Sequence, residues 1–407
     1  MSRVCVFFLL SFIFSVHADP KVVNLFRVTS LGSLTISVES GGKIFLASGD
    51  DNQYLKNIQL TTGTTTITLD KLNDLNDDGS PKFITAAGSV ILQTSNNDTT
   101  TSRLSGYIYV TTYLQAQDPT FSVYVLKTTQ SISKMGMKST VVVLNTVLRQ
   151  ELIDYDMPRA ISYVTKIDHS PNTNLYFQWD IPASNWNDVT NNTFFRNPIE
   201  LKNGTGPHFK VFFDNIEPLQ IGLNYWYITS MGPFNLFLEN KYVSDHSYTT
   251  TAVNTTGIIV GKSFYADRVV NFQSDTSRSS ASGFFDSAYI TDDLTIKLQF
   301  VGASFSNTLR KESETQNYAW SPAAPVNLTV TSTSTLPGTF YIQYFAFAGD
   351  LQPLTSTVAT SLMLQTSTTT VASTAVTTSR IITTTKGSSS NCGVHILISL
   401  LLSMVFC

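Results

Sequence analysis

The sequence predicts an all-β protein of two antiparallel, disulfide-free β-sandwich units followed by a disordered Thr/Ser-rich stalk. Three observations support this prediction. Aromatic and β-branched runs alternate with turn residues from 22 to 350, while helix-forming stretches are missing. All three cysteines, Cys5, Cys392 and Cys407, lie near the ends of the 407-residue chain. Of the 36 residues from 355 to 390, 21 are Ser or Thr, a composition that cannot bury enough apolar surface to fold.

The charge balance excludes one class of partner. The chain has 26 Lys and Arg against 29 Asp and Glu, a net charge of −3. Nucleic-acid binding needs a basic surface that displaces phosphate counterions. We therefore expect no nucleic-acid partner.

The first 18 residues have the pattern of a secretory signal peptide. Arg3 supplies the positive charge, residues 4–16 are an almost unbroken apolar stretch, and Ala18 ends a cleavage site before Asp19. The alternative, an uncleaved anchor helix, needs about 20 apolar residues. Cleavage would remove Cys5, and Cys392 and Cys407 lie in the C-terminal segment that is expected to be removed, so the mature ectodomain would contain no cysteine.

The predicted strands divide into two units, 19–190 and 205–350, joined by the polar stretch 185–206 with two glycosylation sequons. The division follows a weak internal similarity between landmarks about 165–190 residues apart. Strand patterns in the first unit lie at 34–38, 64–69, 106–113, 121–126 and 174–180. Those in the second lie at 209–213, 219–228, 234–238, 257–260, 294–300, 326–331 and 338–345.

Asn-x-Ser/Thr sequons and the C-terminus both fit the secretory pathway. The candidate N-glycosylation residues are Asn97, Asn191, Asn203, Asn254 and Asn327. After the stalk (355–390), residues 391–407 have the apolar pattern of a GPI signal that is removed. A single-pass helix or a tail packed on the domain is the alternative, but no basic flank follows. The candidate attachment residues are Gly387, Ser388, Ser389, Ser390 and Asn391.

One segment resembles half of a calcium-binding loop. Asp74, Asn76 and Asp78 alternate before Gly79, as in the first half of an EF-hand loop. Thr85 occupies the position of the bidentate Glu, and a solvated turn explains the same residues. We therefore expect no cofactor, with Ca²⁺ at this loop as the weak alternative; residues 50–52 form a weaker version.

The sequence lacks a recognisable catalytic motif. His169, His208 and His246 are isolated from one another, and residues 261–263 only partly match a nucleophile elbow. We expect a protein that is not an enzyme. Trp186 and Trp320, in polar surroundings, are candidates for stacking on glycan rings, whereas Trp179 and Trp226 lie in apolar strands typical of a core.

The order of signal peptide, Thr/Ser-rich strands, stalk and GPI-type tail, with strand phrases such as residues 336–345, resembles the nematode CUB-like-domain family. The resemblance implies a CUB-like or jelly-roll-like sandwich on a secreted or surface-anchored protein of the gut, induced by pathogens. True CUB domains are disulfide-linked, and here this chain departs from them.

Together these observations predict a GPI-anchored glycoprotein on the extracellular face of the plasma membrane, in membrane rafts. The expected role is non-enzymatic recognition or barrier function in epithelial innate defence. Its partners would be the membrane, through the GPI lipid, and a glycan or microbial surface ligand. The alternatives are a structural coat or adhesion glycoprotein without a specific ligand, or a carbohydrate-active enzyme.

Overall fold

The computed structural model describes thirteen segments of the chain. The predicted signal peptide, stalk and GPI-signal tail lie outside them. The segments are residues 19–94, 104–147, 160–184, 192–202, 208–243, 250–261, 268–272, 280–289, 294–300, 303–309, 317–321, 325–332 and 339–348.

The described residues contain 29 strands and four short helices. Strands β1 to β15 are Lys21–Asn24, Ser33–Ser37, Lys43–Ala47, Ile58–Thr62, Thr65–Thr68, Phe83–Thr85, Ser89–Thr94, Tyr107–Val110, Phe121–Leu126, Thr129–Lys134, Ser139–Asn145, Ser162–His169, Asn174–Trp179, Thr193–Asn197 and Ile199–Lys202. Strands β16 to β29 are His208–Val211, Asn215–Ile216, Leu219–Ile221, Tyr225–Met231, Phe234–Glu239, Thr250–Thr251, Thr255–Gly261, Arg268–Phe272, Ser280–Tyr289, Leu294–Phe300, Ala303–Leu309, Asn317–Ser321, Pro325–Ser332 and Thr339–Ala348. Helices α1 to α4 are Leu25–Leu31, Asn52–Leu55, Asp70–Asn73 and Tyr113–Gln117.

The strands form six sheets and a two-stranded ribbon, β15-β16. Sheet A has the order β1-β8-β3-β6 and sheet B the order β2-β7-β4-β5. Sheet C is β14-β13-β19-β11-β9 and sheet D is β10-β20-β12-β18. Sheet E is β17-β22-β29-β24-β27 and sheet F is β21-β23-β28-β25-β26. Three pairings are parallel, β9 with β11, β17 with β22 and β21 with β23, and the others are antiparallel.

Sheets A and C are buried on both faces. Alternate residues of β3 and β8 pack against sheet B, and the residues between them pack against sheet C. In β11, Val141 and Val143 face sheet D, whereas Val142 and Leu144 face sheet A. The four sheets therefore stack in the order B, A, C, D, which explains why the central strands are continuously apolar rather than alternating.

Sheets E and F, formed by Asn215–Ile216 and by the strands between residues 250 and 348, contact the rest of the fold through aromatic side chains. Tyr341 of β29 stacks on Phe194 of β14 with ring centroids 4.7 Å apart, and Phe213 lies 5.9 Å from Phe345. Tyr341 thus belongs to the hydrophobic core between sheets C and D.

The predicted all-β class is confirmed, with several antiparallel sheets and, in the thirteen described segments, no disulfide. The strand pairing, however, crosses the predicted join at 185–206. Strands β18, β19 and β20, assigned from sequence to the second unit, lie within sheets C and D beside β11, β12 and β13. The join therefore does not coincide with a boundary between sheets, because hydrophobic patterns locate strands but do not specify their partners.

Asn145, at the end of β11, connects three elements through its buried side chain. Its Nδ2 donates to the carbonyl oxygen of Leu223 at 2.7 Å, and its Oδ1 accepts from Ser162 Oγ at 2.7 Å. Ser162 Oγ in turn accepts from Trp226 Nε1 at 2.9 Å. The carbonyl oxygen of Asn145 also accepts from the Tyr107 hydroxyl of sheet A at 3.2 Å. A buried polar group needs such partners, because leaving one unpaired costs about 1–3 kcal/mol.

We predict that Asn145→Ala lowers the free energy of unfolding by about 2–3 kcal/mol, because the Leu223 carbonyl and Ser162 hydroxyl lose a buried partner. Urea unfolding of the purified protein measures this loss. The matched control is Asn235→Ala on the exposed face of β20, which should change stability by less than about 0.5 kcal/mol. Equal losses in the two variants would contradict the role assigned to Asn145.

Candidate functional site

Two of the five predicted glycosylation residues lie in the described part of the chain. Asn254 is exposed in the turn before β22, with a left-handed φ of 60° that asparagine tolerates better than most residues. The next two residues are buried: Thr255 Oγ1 accepts from Asn215 at 2.7 Å and Thr256 Oγ1 donates to the Tyr344 carbonyl at 2.9 Å. The turn thus presents Asn254 outward.

Asn327 lies on β28 between β23 and β25 and is half-buried. Its side-chain nitrogen lies 3.4 Å from Gln299 Oε1. Asn97, Asn191 and Asn203 are outside the described residues, as are the GPI candidates Gly387, Ser388, Ser389, Ser390 and Asn391. Occupancy of all five sequons stays a prediction.

The loop from Asp74 to Ser80 is a hydrogen-bonded turn. Asp78 Oδ1 accepts from the backbone nitrogen of Ser80 at 2.9 Å and from its hydroxyl at 2.6 Å. These bonds, the hydroxyl one first, lower the pKa of Asp78. Asn76 Nδ2 donates to Ser80 Oγ at 3.0 Å, and Asn52 Nδ2 lies 3.3 Å from Asp74 Oδ1.

Each residue of the possible calcium loop therefore has a protein partner: Asn76 and Asp78 share Ser80, and Asp74 is contacted by Asn52. Within the thirteen described segments, no group of three or more His, Cys, Asp or Glu side chains could hold a metal ion. The expectation of no cofactor, with Ca²⁺ at Asp74, Asn76 and Asp78 as the alternative, stays a prediction.

Asp50, in the weaker version of that motif, anchors two loops. Its carboxylate accepts from Ser48 Oγ at 2.7 Å and from the backbone nitrogens of Ser105 and Gly106, each at 3.2 Å. Asp51 caps helix α2 by accepting from the Gln53 nitrogen at 2.9 Å. Both acids therefore satisfy backbone donors.

Lys127 makes a long-range contact with Asn73 that the sequence does not predict. It lies in the turn between β9 and β10, and its Nζ donates to Asn73 Oδ1 of helix α3 at 2.7 Å. Burial lowers the pKa of Lys127, and the charge of Asp74 partly opposes this effect. No local pattern predicts this contact, because the two side chains are 54 residues apart.

Of the three isolated histidines, His169 has a described environment. Its Nδ1 lies 3.2 Å from the Ser170 carbonyl oxygen, and its Nε2 lies 3.0 Å from Asn197 Nδ2. A neutral ring with its proton on Nδ1 donates to Ser170 and accepts from Asn197. The Asn197 amide is held in this orientation because it exchanges bonds of 2.9 and 3.1 Å with the backbone of Phe213.

Burial lowers the pKa of His169 below its ordinary value, opposed by backbone hydrogen bonds at Ser170 and Thr173 and by the charge of Asp168. Asn197 is itself fully buried. These contacts give His169 a structural role at the end of β12.

Among the tryptophans and the other two histidines, the structure describes the side chains of Trp226 and Trp179 only. Trp226 is fully buried and stacks on Phe177 at 5.3 Å, and Trp179 packs against the same core. His208 and Trp320 lie on β16 and β27, but their side chains are outside the described part. His246 and Trp186 lie outside the described residues altogether.

No helix of the described segments is long and apolar enough to cross a membrane. A family described as "Glycoprotein: Transmembrane glycoprotein" matches residues 39–404 of this chain. The family matched is not a CUB-like one, so that resemblance stays an interpretation. No curated protein sequence matches the chain.

Several solved structures show weak similarity. The mosquito-larvicidal Cry4Aa toxin from Bacillus thuringiensis is 11% identical, with 81% of this chain and 58% of the toxin chain covered and a TM-score of 0.17. A chain of the lipid-containing bacteriophage PM2 is 9% identical (79% and 88% covered, TM-score 0.09). The infectious bursal disease virus VP2 subviral particle is 10% identical (82% and 67% covered, TM-score 0.08). Scores this low carry no argument about fold or function.

We predict that His169 makes stability depend on pH. The unfolded chain, with a histidine pKa of about 6.5, binds more protons than the folded protein just below that pH. The contribution of neutral His169 is therefore complete above about pH 6.5 and is lost as the pH falls through that value toward the lower folded-state pKa. We expect the urea midpoint to fall more between pH 7.5 and pH 5.0 in the natural protein than in His169→Gln. The glutamine side chain keeps a hydrogen-bond acceptor but cannot titrate. Identical falls would contradict the prediction.

Proposed function

The chain belongs to the transmembrane glycoprotein family, and on that premise we propose that it is a GPI-anchored, non-enzymatic recognition or barrier protein of the extracellular surface. The family match itself supports a surface glycoprotein. The anchor, the recognition role and a place in epithelial innate defence are further steps, and each has its own support.

The anchor is supported by the sequence of the C-terminal segment. Small residues at 387–391 precede the largely apolar stretch 394–407, a pattern typical of GPI signals. The Thr/Ser-rich stretch 355–390 would then separate the folded part from the lipid. The assignment to epithelial defence depends on the resemblance to CUB-like proteins.

The observation that carries the non-enzymatic proposal is how the candidate chemical groups use their hydrogen bonds. Asp50 holds the loops at Ser48 and Ser105, Asp78 holds a turn, and His169 holds a buried amide. Groups committed to the fold in this way are poorly suited to proton transfer with a substrate. Ligand contact would then depend on exposed aromatic and polar side chains.

The coat or adhesion alternative is favoured by the outer edge of sheet B. Thr61 and Thr66 face each other across β4 and β5 with their hydroxyls 3.0 Å apart, in a threonine-rich, uncharged surface. Such a surface suits a protein whose glycans matter more than any single site. Binding measurements separate this alternative from recognition.

We predict that phosphatidylinositol-specific phospholipase C releases the protein from cell membranes, because the lipid rather than a polypeptide span would hold it. Immunoblotting of supernatant and membrane fractions measures the release. As a control, a version whose residues 387–407 are replaced by an unrelated transmembrane helix should stay in the membrane. Retention of the natural protein after lipase treatment would reject the anchor.

We also predict saturable binding of the lipase-released protein to a microbial cell-wall polysaccharide. Trp186→Ala and Trp320→Ala should each lower the affinity severalfold, because an aromatic face is lost from the ring contact. Tyr113→Ala is the control, since Tyr113 is also an exposed aromatic, at the start of α4. Binding that never saturates, or is unchanged in both tryptophan variants, would favour the coat alternative.

A further inference from the structure

The contact between Lys127 and Asn73 joins sheets A and B on one side to sheets C and D on the other. Asn73 ends helix α3, which follows β5 of sheet B and precedes β6 of sheet A. Lys127 lies in the turn from β9 of sheet C to β10 of sheet D. The Nζ atom of Lys127 lies 2.7 Å from Oδ1 of Asn73, although the two residues are 54 positions apart in the chain.

Hydrogen bonds fix the orientation of the Asn73 amide, and Asn73 is only 6% exposed. Its Nδ2 donates to Asn52 Oδ1 at 2.7 Å and lies 3.4 Å from the carbonyl oxygen of Asp50. The carbonyl of the amide therefore faces Lys127. Since a carbonyl bond is about 1.2 Å long, the amide carbon Cγ lies within about 4 Å of Nζ, close to the separation from which a nucleophile attacks.

The surroundings of Lys127 favour the neutral amine, which is the nucleophilic form of a lysine. Burial lowers the pKa of Lys127, and the charge of Asp74 partly opposes this effect. Asp74 follows Asn73 in the chain, and its Oδ1 accepts from Asn52 Nδ2 at 3.3 Å. One carboxylate thus acts on the amine and adjoins the amide, so it can accept a proton from the first and return it to the second.

We propose that Lys127 and Asn73 become joined by an isopeptide bond once the chain has folded. Neutral Nζ attacks Cγ of Asn73 and forms a carbon–nitrogen bond, and the bond between Cγ and Nδ2 breaks. The Asp74 carboxylate takes the proton that Nζ gives up and returns it to Nδ2, which leaves as ammonia. The product is a secondary amide between the two side chains, and its formation consumes no oxidant and no other reactant.

A cross-link of this kind suits a chain that has no cysteine between residues 19 and 365. A covalent bond between α3 and the turn after β9 would persist when the sheets separate, whereas the hydrogen bond would not. It would restrict the unfolded chain as a disulfide does. This proposal goes beyond the proposed function and does not depend on the GPI anchor.

Tryptic peptides of the purified natural protein test the proposal. Trypsin does not cut at a lysine whose Nζ is part of an amide, so a linked Lys127 stays within peptide 104–134, and Asn73 lies on peptide 72–82. Neither peptide contains a sequon. We expect mass spectrometry to find the two peptides joined, about 17 Da below the sum of their masses, because ammonia has left. Unjoined peptides would overturn the proposal, as would the same loss confined to 72–82, which indicates a succinimide at Asn73.

Lys127→Arg separates the covalent bond from the hydrogen bond. Arginine keeps the charge and can donate to Asn73 Oδ1, but its guanidinium stays protonated and does not attack. On a reducing SDS gel the natural chain should migrate ahead of this variant, because the cross-link keeps the denatured chain more compact. Lys134→Arg is the matched control, since Lys134 lies over the ring of Tyr124 and not against an amide. It should migrate with the natural chain, and equal migration of all three would overturn the proposal.

Asp74→Asn tests the proton transfer. Asparagine keeps an oxygen for Asn52 but does not take up the proton, so we expect the joined form to appear at least about tenfold more slowly after synthesis. Pulse labelling followed by gel migration measures this rate, and circular dichroism checks that each variant is folded. Formation at the natural rate would overturn the role of Asp74. None of these outcomes affects release by the lipase, so the two proposals fail independently.

Discussion

The burial of sheet C on both of its faces is the constraint on which the rest of the described structure depends. One face of β11 and β19 packs into the core with sheet D, and the other packs against sheet A. Each large apolar side chain buried in this way stabilises the fold by about 1.5–3 kcal/mol. Since the described residues contain no cysteine, this layered burial takes the place that disulfides hold in many secreted domains.

Burial on both faces imposes a second requirement, because polar groups between the layers cannot be hydrated. Between sheets A, C and D, the hydrogen bonds of Asn145 satisfy this requirement. Gln343 meets it where β29 approaches β14: its Nε2 donates to the Arg196 carbonyl at 2.8 Å and to Thr256 Oγ1 at 3.0 Å, and its Oε1 accepts from the Arg196 nitrogen at 2.9 Å. Burial also lowers the pKa of Arg196. These amides fix neighbouring sheets in register, since an offset of one residue would leave them unpaired.

The sequence patterns predicted the positions of the strands more accurately than they predicted which strands pair. Strands β9 and β25 have the predicted bounds, whereas the pattern at 106–113 extends too far because Thr112 and Gln115 form a capping box that begins α4. The pattern at 219–228 is interrupted between β18 and β19. The Asp78 turn was visible because its bonds are local. The contact between His169 and Asn197, which are 28 residues apart, could not be predicted, because long-range contacts leave no pattern in a single sequence.

The same burial limits where this protein can contact anything else. Both faces of sheets A and C are occupied, so their strands cannot contribute a recognition surface. The outer face of sheet B is rich in threonine and serine, whereas that of sheet D combines serine and asparagine with the charged Lys166 and Asp168 of β12. Further exposed side chains lie in the connections, where the chain crosses between sheets. Residues there can change without disturbing the core. Stability and contact with the surroundings are thus separated in this fold: the layered core supplies the first, and the ends of the sheets are free to supply the second.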